Sequence, residues 1–213
     1  MSNWTAEELE ALPSRYRGNL INGIAGFKPA LLVGTADRQG LSNLAVFSGV
    51  FHIGASPPVL GLIIRPCPEG TERHTLDNIL ATEVFTLNHI TEPMIPAAHQ
   101  TSARYPRSDS EFDATELTEE WIPEFAAPAV KESPVKLGLS LIEHQVLAVN
   151  QTHLLIAGVQ WLQCPASGIR DDGSVNLIDL DTQTVCGLDS YHAVKEGQRF
   201  AYAKADRATQ ALT

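Results

Sequence analysis

Between Ala30 and Ile64 the chain strings together apolar runs with turn residues between them and leaves no space for a helix. Ala30-Leu-Leu-Val-Gly-Thr35 reads as a buried strand, Asp37-Arg-Gln-Gly40 as a turn and Leu41 to Phe51 as a second strand, together a β-hairpin. Ser56-Pro-Pro58 then breaks the chain before Val59-Leu-Gly-Leu-Ile-Ile64, a third strand apolar on both faces and so suited to the middle of a sheet or barrel wall. Regular alternation of strand and helix, which a doubly wound parallel sheet needs, is missing.

The rest of the chain supports the same class. Thr5-Ala-Glu-Glu8 matches a capping box and predicts a short helix through Leu12, stopped by Pro13, so residues 1–14 are read as a helical arm. Thr75 to Ala81 carries a cap-type residue followed by apolar residues at 76, 79 and 80, which predicts a short amphipathic helix. Glu83 to Asn88 alternates as a strand, and residues 93–134 read as a helical and irregular insertion. Val135 to Ala148 and His153 to Leu162 predict an antiparallel pair. Asp171-Asp-Gly173 is a turn before a last strand, Val175 to Leu180, and a polar tail. The expected fold is mainly β with helical insertions, an antiparallel barrel in a single domain over residues 1–213.

Fifteen Lys and Arg stand against 25 Asp and Glu, a net charge of −10 whose field repels polyanions and anionic membranes. No nucleic-acid or membrane partner is expected, and a small anion has to be held by a local cluster of donors. The first residues lack a basic and apolar leader, and the longest apolar run falls far short of the roughly 20 residues that span a bilayer. Cys67, Cys164 and Cys186 form no metal or disulfide pattern, which points to reduced thiols in the cytoplasm. Seven dispersed histidines suggest no metal site. The Gly-rich dinucleotide fingerprint, the P-loop, the zinc-protease helix and the serine elbow are all absent from the sequence.

The chemistry concentrates between residues 41 and 88. The strand Ser42 to Ser48 alternates small or polar groups with apolar ones, so its backbone can present N–H and C=O groups to a flat heterocycle. Arg65 ends the third strand, Arg73 follows a Pro-Cys-Pro-Glu-Gly-Thr stretch, and Thr75 opens a helix whose first turn contains Asn78. Free amides at a helix start, with arginine forks beside them, bind anions such as phosphate. Each residue also has a plainer role: Thr75 as an N-cap, Arg65 and Arg73 as ion-pair partners of Glu69, Glu72 or Asp77, Asn43 as a turn residue.

The order of Ala30–Thr35, Gly40-Leu-Ser-Asn-Leu-Ala-Val-Phe-Ser48, Ser56-Pro-Pro58, Arg73-His-Thr-Leu-Asp-Asn-Ile79 and Val84-Phe-Thr-Leu-Asn88 resembles the flavin reductase-like, FMN-binding split-barrel family. Glu111-Phe112, Val130-Lys-Glu-Ser-Pro134 and Gly187-Leu-Asp-Ser-Tyr191 are similar to its longer members. The resemblance implies a homodimeric Greek-key split barrel with FMN as cofactor. Asn43, Leu44, Ala45, Val46, Phe47 and Ser48 would then lie along the isoalloxazine and ribityl chain, while Arg65, Arg73, Thr75 and Asn78 would surround the phosphate. Tyr191 and His192 would cover the flavin or meet a second substrate. It implies an NAD(P)H-dependent flavin reductase passing hydride to a flavin or other small acceptor; the alternative is an FMN-binding electron-transfer protein without its own NAD(P)H activity. Hydride chemistry belongs to the cofactor, so no catalytic triad is expected. Two departures from the family pattern stand at Val46, where it often has Pro, and at Arg73-His74, where it often has Lys-Asp.

Overall fold

The computed structural model describes residues 1–68, 70–195 and 197–212. Two helices lead the chain, α1 (Ala6–Ala11) and α2 (Ser14–Ile24). The capping box forms as the sequence predicts: Glu8 N–H donates to Thr5 Oγ1 at 3.3 Å and Thr5 N–H donates to Glu8 Oε2 at 2.7 Å. Pro13 ends α1 but not the helical stretch. It sits immediately before α2, where a missing N–H is no loss and the fixed φ suits a helix start, so a second helix follows the one expected. Neither helix buries a residue.

The strands β1 (Lys28–Pro29), β2 (Leu31–Ala36), β3 (Ser42–Phe47), β4 (Val50–Ala55) and β5 (Pro58–Ile64) precede α3 (His74–Thr82) and β6 (Val84–His89). Then come α4 (Ile95–Gln100), α5 (Glu111–Thr115), β7 (Glu119–Glu120) and β8 (Ala129–Val130), followed by the long hairpin of β9 (Lys136–Val146) and β10 (His153–Gln163). The chain continues through β11 (Gln183–Cys186), β12 (Ser190–Ala193), β13 (Arg199–Phe200) and β14 (Ala211–Leu212). No helix among the described residues is long and apolar enough to cross a membrane.

Seven strands form one antiparallel sheet in the order β3-β2-β6-β9-β10-β5-β4. β3 and β4 are consecutive in sequence yet lie at opposite edges, so the sheet curls until Ser48 and Gly49 bridge the two. Ile63 N–H donates to Gly49 O at 2.9 Å, and a Cβ at Gly49 would crowd the Ile63 carbonyl at 3.0 Å. The single strand expected from Leu41 to Phe51 is therefore two strands joined at that glycine. The structure is a mainly β, antiparallel split barrel.

Two further corrections concern the C-terminal part. Val175 to Leu180 forms no strand; Val175 makes only an isolated bridge to Ile169, and the backbone reverses at Asp181 with φ 52°. The tail, read from the sequence only as polar, holds β11 and β12, which pair with each other and, through β11, with β1.

Alternation of side chains divides the core in two. Leu31 and Val33 of β2 point into the barrel with Phe85, Leu87, Leu139, Leu155, Leu62 and Ile64, and α3 closes this core with Leu76 and Ile79. Leu32 and Leu44 point outward, where Met94, Ala98, Phe112, Val130 and Val185 cover them. Strand β2 is thus buried on both faces, which explains its unbroken apolar run. At Gly34 a Cβ would collide with the Pro128 carbonyl oxygen and Thr86 Oγ1, so this glycine is what lets the segment before β8 lie against the barrel. Thr86 Oγ1 donates to that carbonyl at 2.6 Å, and Val130 N–H donates to Asn88 Oδ1 at 2.9 Å.

Candidate functional site

Strand β3 connects two concave regions, and the start of α3 defines the first. His74 is the first helical residue, Arg73 occupies the cap position, and no side chain caps the helix. The opening amides, which a helix leaves without internal partners, are not supplied with one by a cap. Thr75 is not the N-cap. Its Oγ1 accepts from Asn43 Nδ2 at 3.1 Å, and Asn78 Nδ2 donates to Thr35 Oγ1 at 3.2 Å. These buried pairs fix α3 against β2 and β3, and they set Asn43, read from the sequence as part of the ring-facing strand, beside Thr75 and Asn78 at the helix start.

The arginines behave differently. Glu72 and Asp77, expected partners for Arg65 or Arg73, both pair with Arg107, at 3.2 Å and 2.7 Å, while Arg107 Nη1 donates to Asn78 Oδ1 at 3.4 Å. Glu69, the third expected partner, lies outside the described residues. Arg65 Nη2 donates to Asn22 Oδ1 of α2 at 2.9 Å. The Arg73 side chain is exposed and makes no hydrogen bond or ion pair among the described residues, while its carbonyl accepts from Asp77 N–H at 3.0 Å. A small depression here is lined by Asp37, Ser42, Asn43, His74, Asn78 and Arg107. Arg107 escaped the sequence reading because no local pattern shows that the loop after α4 reaches α3.

The outer edge of β3 is partly occupied by the chain itself. Leu44 N–H donates to Glu111 Oε2 at 2.9 Å, and Val46 N–H donates to Thr101 Oγ1 at 2.9 Å. Two of the amides expected to face a flat ring are thus engaged, and alternation turns Phe47 N–H toward Leu31 of β2, so the next amide along this edge is that of Ser48. Glu111 is 5 % exposed, and burial pushes its carboxyl above the usual range against the opposing pull of the Leu44 amide.

The second region is a cleft of about 440 Å³ at the other end of β3, a volume within the range of small-molecule sites. One wall is Val46, Phe47 and Ser48; the other comprises His99, Ser102, Val185, Leu188, Asp189 and Tyr191. Tyr191 Oη and His99 Nδ1 are 3.2 Å apart, with the rings edge to face at 5.7 Å. Burial, reinforced by Asp189, holds the Tyr191 phenol above its ordinary pKa, so it stays protonated. His192 is turned the other way by the alternation of β12: its ring meets Phe27 edge to face at 5.0 Å and its Nε2 lies 2.9 Å from Ser190 Oγ. The structure brings Tyr191 to Val46, Phe47 and Ser48 and separates it from His192. The step of about 3.3 Å per residue along a strand puts roughly 13 Å between Asn43 at the first region and Phe47 at the second.

Comparison with known proteins bears on the fold and the family. A split-barrel protein of Shewanella frigidimarina NCIMB 400, provisionally described as a flavin reductase, is 42% identical and superposes with a TM-score of 0.91 over 95% of this chain and 100% of its own. Nitrilotriacetate monooxygenase component B from Bacillus cereus shares the fold at 19% identity, with a TM-score of 0.81 over 92% of this chain and 97% of its own. Flavoredoxin of Desulfovibrio vulgaris (Miyazaki F) does so at 24% identity, with a TM-score of 0.68 over 84% and 91%. Residues 26–177 match the model of the flavin reductase like domain, and the chain belongs to that family.

Proposed function

We propose that this chain is an FMN-binding oxidoreductase, an NAD(P)H-dependent flavin reductase that passes hydride to a flavin or other small electron acceptor. The observation that carries the reading is the span of β3, from an uncapped helix start beside Arg73 to a ligand-sized cleft at Phe47 and Ser48. The residues present fit the group: uncapped amides and a guanidinium suit a phosphate, and the apolar flank of Val46 and Phe47 suits a flat ring. Asn43, Thr75 and Asn78 would hold the phosphate end with Arg73, and Ser48 would offer polar contact at the ring end. Leu44 and Ala45 would contribute as the strand between, and Arg65 as a more distant cation. When bound, the flavin supplies the hydride chemistry; the protein orients it and shields it from water.

FMN titration tests the reading. Replacing Arg73 and Thr75 together by Ala is expected to weaken FMN binding by about 2 kcal/mol, roughly thirtyfold in Kd, through lost charge-assisted bonds. Affinity unchanged in the double variant would put the phosphate elsewhere. A second reading, an FMN-binding electron carrier without NAD(P)H activity, is favoured by a cleft that Lys and Arg do not line among the described residues. FMN uptake without oxidation of NADH or NADPH would select it.

A homodimer is part of the same reading. Helix α2 buries nothing, and Ile21, Ile24, Phe27, Phe51 and Ile53 are all at least 40% exposed, which an isologous interface would cover. Light scattering at micromolar concentration is expected to give twice the chain mass, and a monomer there would refute this. The three free cysteines suit a cytoplasmic setting.

A further inference from the structure

We propose that Arg107 sets the chain's preference for a flavin that carries a phosphate over one that does not, by neutralising the carboxylates of Glu72 and Asp77 beside the start of α3. This role rests on the flavin reading and adds a residue that reading leaves unused. Asp77 stands in the first turn of α3 and Glu72 just before the Arg73 cap, so both carboxylates flank the amides offered to the phosphate. Asp37 and Asp109 line the adjoining depression, in which Arg107 is the only Lys or Arg among the described residues. A phosphate monoester, with about two negative charges at neutral pH, is repelled by each of these groups that lacks a counter-charge. Arg107 supplies one to two of them: its Nε donates to Glu72 Oε2 at 3.2 Å and its Nη2 to Asp77 Oδ2 at 2.7 Å, two arms of one planar fork. Its Nη1 donates to Asn78 Oδ1 at 3.4 Å while Asn78 Nδ2 donates to Thr35 Oγ1 at 3.2 Å, so the same guanidinium holds the other end of the Asn78 amide. The side chains of Arg107, Glu72 and Asp77 are 39%, 63% and 48% exposed, and ion pairs this open to solvent add little to folding stability. Their effect is on the local potential, where a guanidinium bridges two carboxylates that a lysine would meet one at a time.

The probes are FMN and riboflavin, which share the ring and ribityl chain and differ by the phosphate. Each is titrated at low ionic strength by flavin fluorescence, and the ratio of the two affinities is the quantity read, since a general loosening of the fold weakens both flavins alike. The natural protein is expected to favour FMN, and Arg107→Ala should lower that preference about 5- to 20-fold, with riboflavin affinity and the denaturation midpoint nearly unchanged. Adding Asp77→Asn to Arg107→Ala should restore most of the loss, because it removes a charge that Arg107 had answered. Arg104→Ala, the same change of net charge on an exposed neighbour, should leave the ratio in place. A preference unmoved by Arg107→Ala, a loss that Asp77→Asn does not recover, or an equal loss in Arg104→Ala overturns the role of Arg107 and leaves the flavin reading standing. A natural protein that binds both flavins equally overturns it as well, while binding of neither fails the flavin reading itself and the role of Arg107 with it.

Discussion

Lowering the pH from 6.5 to 4 is expected to remove up to about 3 kcal/mol of folding stability through His89 alone. Burial without a carboxylate partner depresses its pKa to about 4. Its backbone is tied at the end of β6, where His89 N–H donates to the Val135 carbonyl and Ser133 Oγ donates to the His89 carbonyl, and Nδ1 lies 3.3 Å from Thr182 Oγ1. Between the two pKa values the unfolded chain binds a proton that the folded chain does not, so stability rises with pH through this window and is flat above 6.5 and below 4. Urea denaturation followed at several pH values, with His89→Asn as the comparison, measures it: the variant should lack most of the acid slope. A natural protein whose midpoint is unchanged between pH 6.5 and 4, or a variant with the same slope, would contradict the assignment. His153, also depressed by burial and by His144, adds in the same direction, while Glu111, whose pKa is raised, opposes it above pH 4.5.

How much of this was legible beforehand depends on the range of the interaction. Strands β2, β5, β6, β9 and β10 follow from local alternation and apolar runs, and the capping box at Thr5 is a four-residue pattern, so each could be read along the chain. The split of the second strand could not, because what ends β3 is the passage of Gly49 beside Ile63 at the far edge of the sheet. The same holds at the candidate site. Thr75 and Asn78 were grouped from the helix start, but Asn43 joins Thr75 across 32 positions, Arg107 reaches Asp77 across 30 and Glu111 reaches Leu44 across 67. No periodicity records such contacts. His144 and His153 look dispersed in sequence, yet the register of β9 and β10 sets their ring nitrogens 2.9 Å apart. Tyr191 and His192 look equivalent as neighbours, and only their place on β12 shows that they face opposite ways.

Phe112→Ala should be the most damaging single change within residues 93–134, costing about 3 to 5 kcal/mol. Phe112 is 1% exposed and packs on the outer face of β2 and β3 with Leu32, Leu44, Ile90 and Met94. It also anchors α5, which Ser110 caps by accepting from Phe112 N–H at 3.3 Å, and whose Glu111 holds the Leu44 amide. The cavity left by the ring therefore loosens the clamp on the strand that links the two concave regions, and FMN affinity should fall along with stability. Phe112→Leu keeps most of the volume and is expected to cost less than about 1.5 kcal/mol and to bind FMN nearly as well. Denaturation midpoints and FMN titration on both variants check this. If Phe112→Ala loses stability and keeps full FMN affinity, the clamp on β3 has no part in the site. If it loses less than about 1 kcal/mol, the outer core is not what holds residues 93–134 in place.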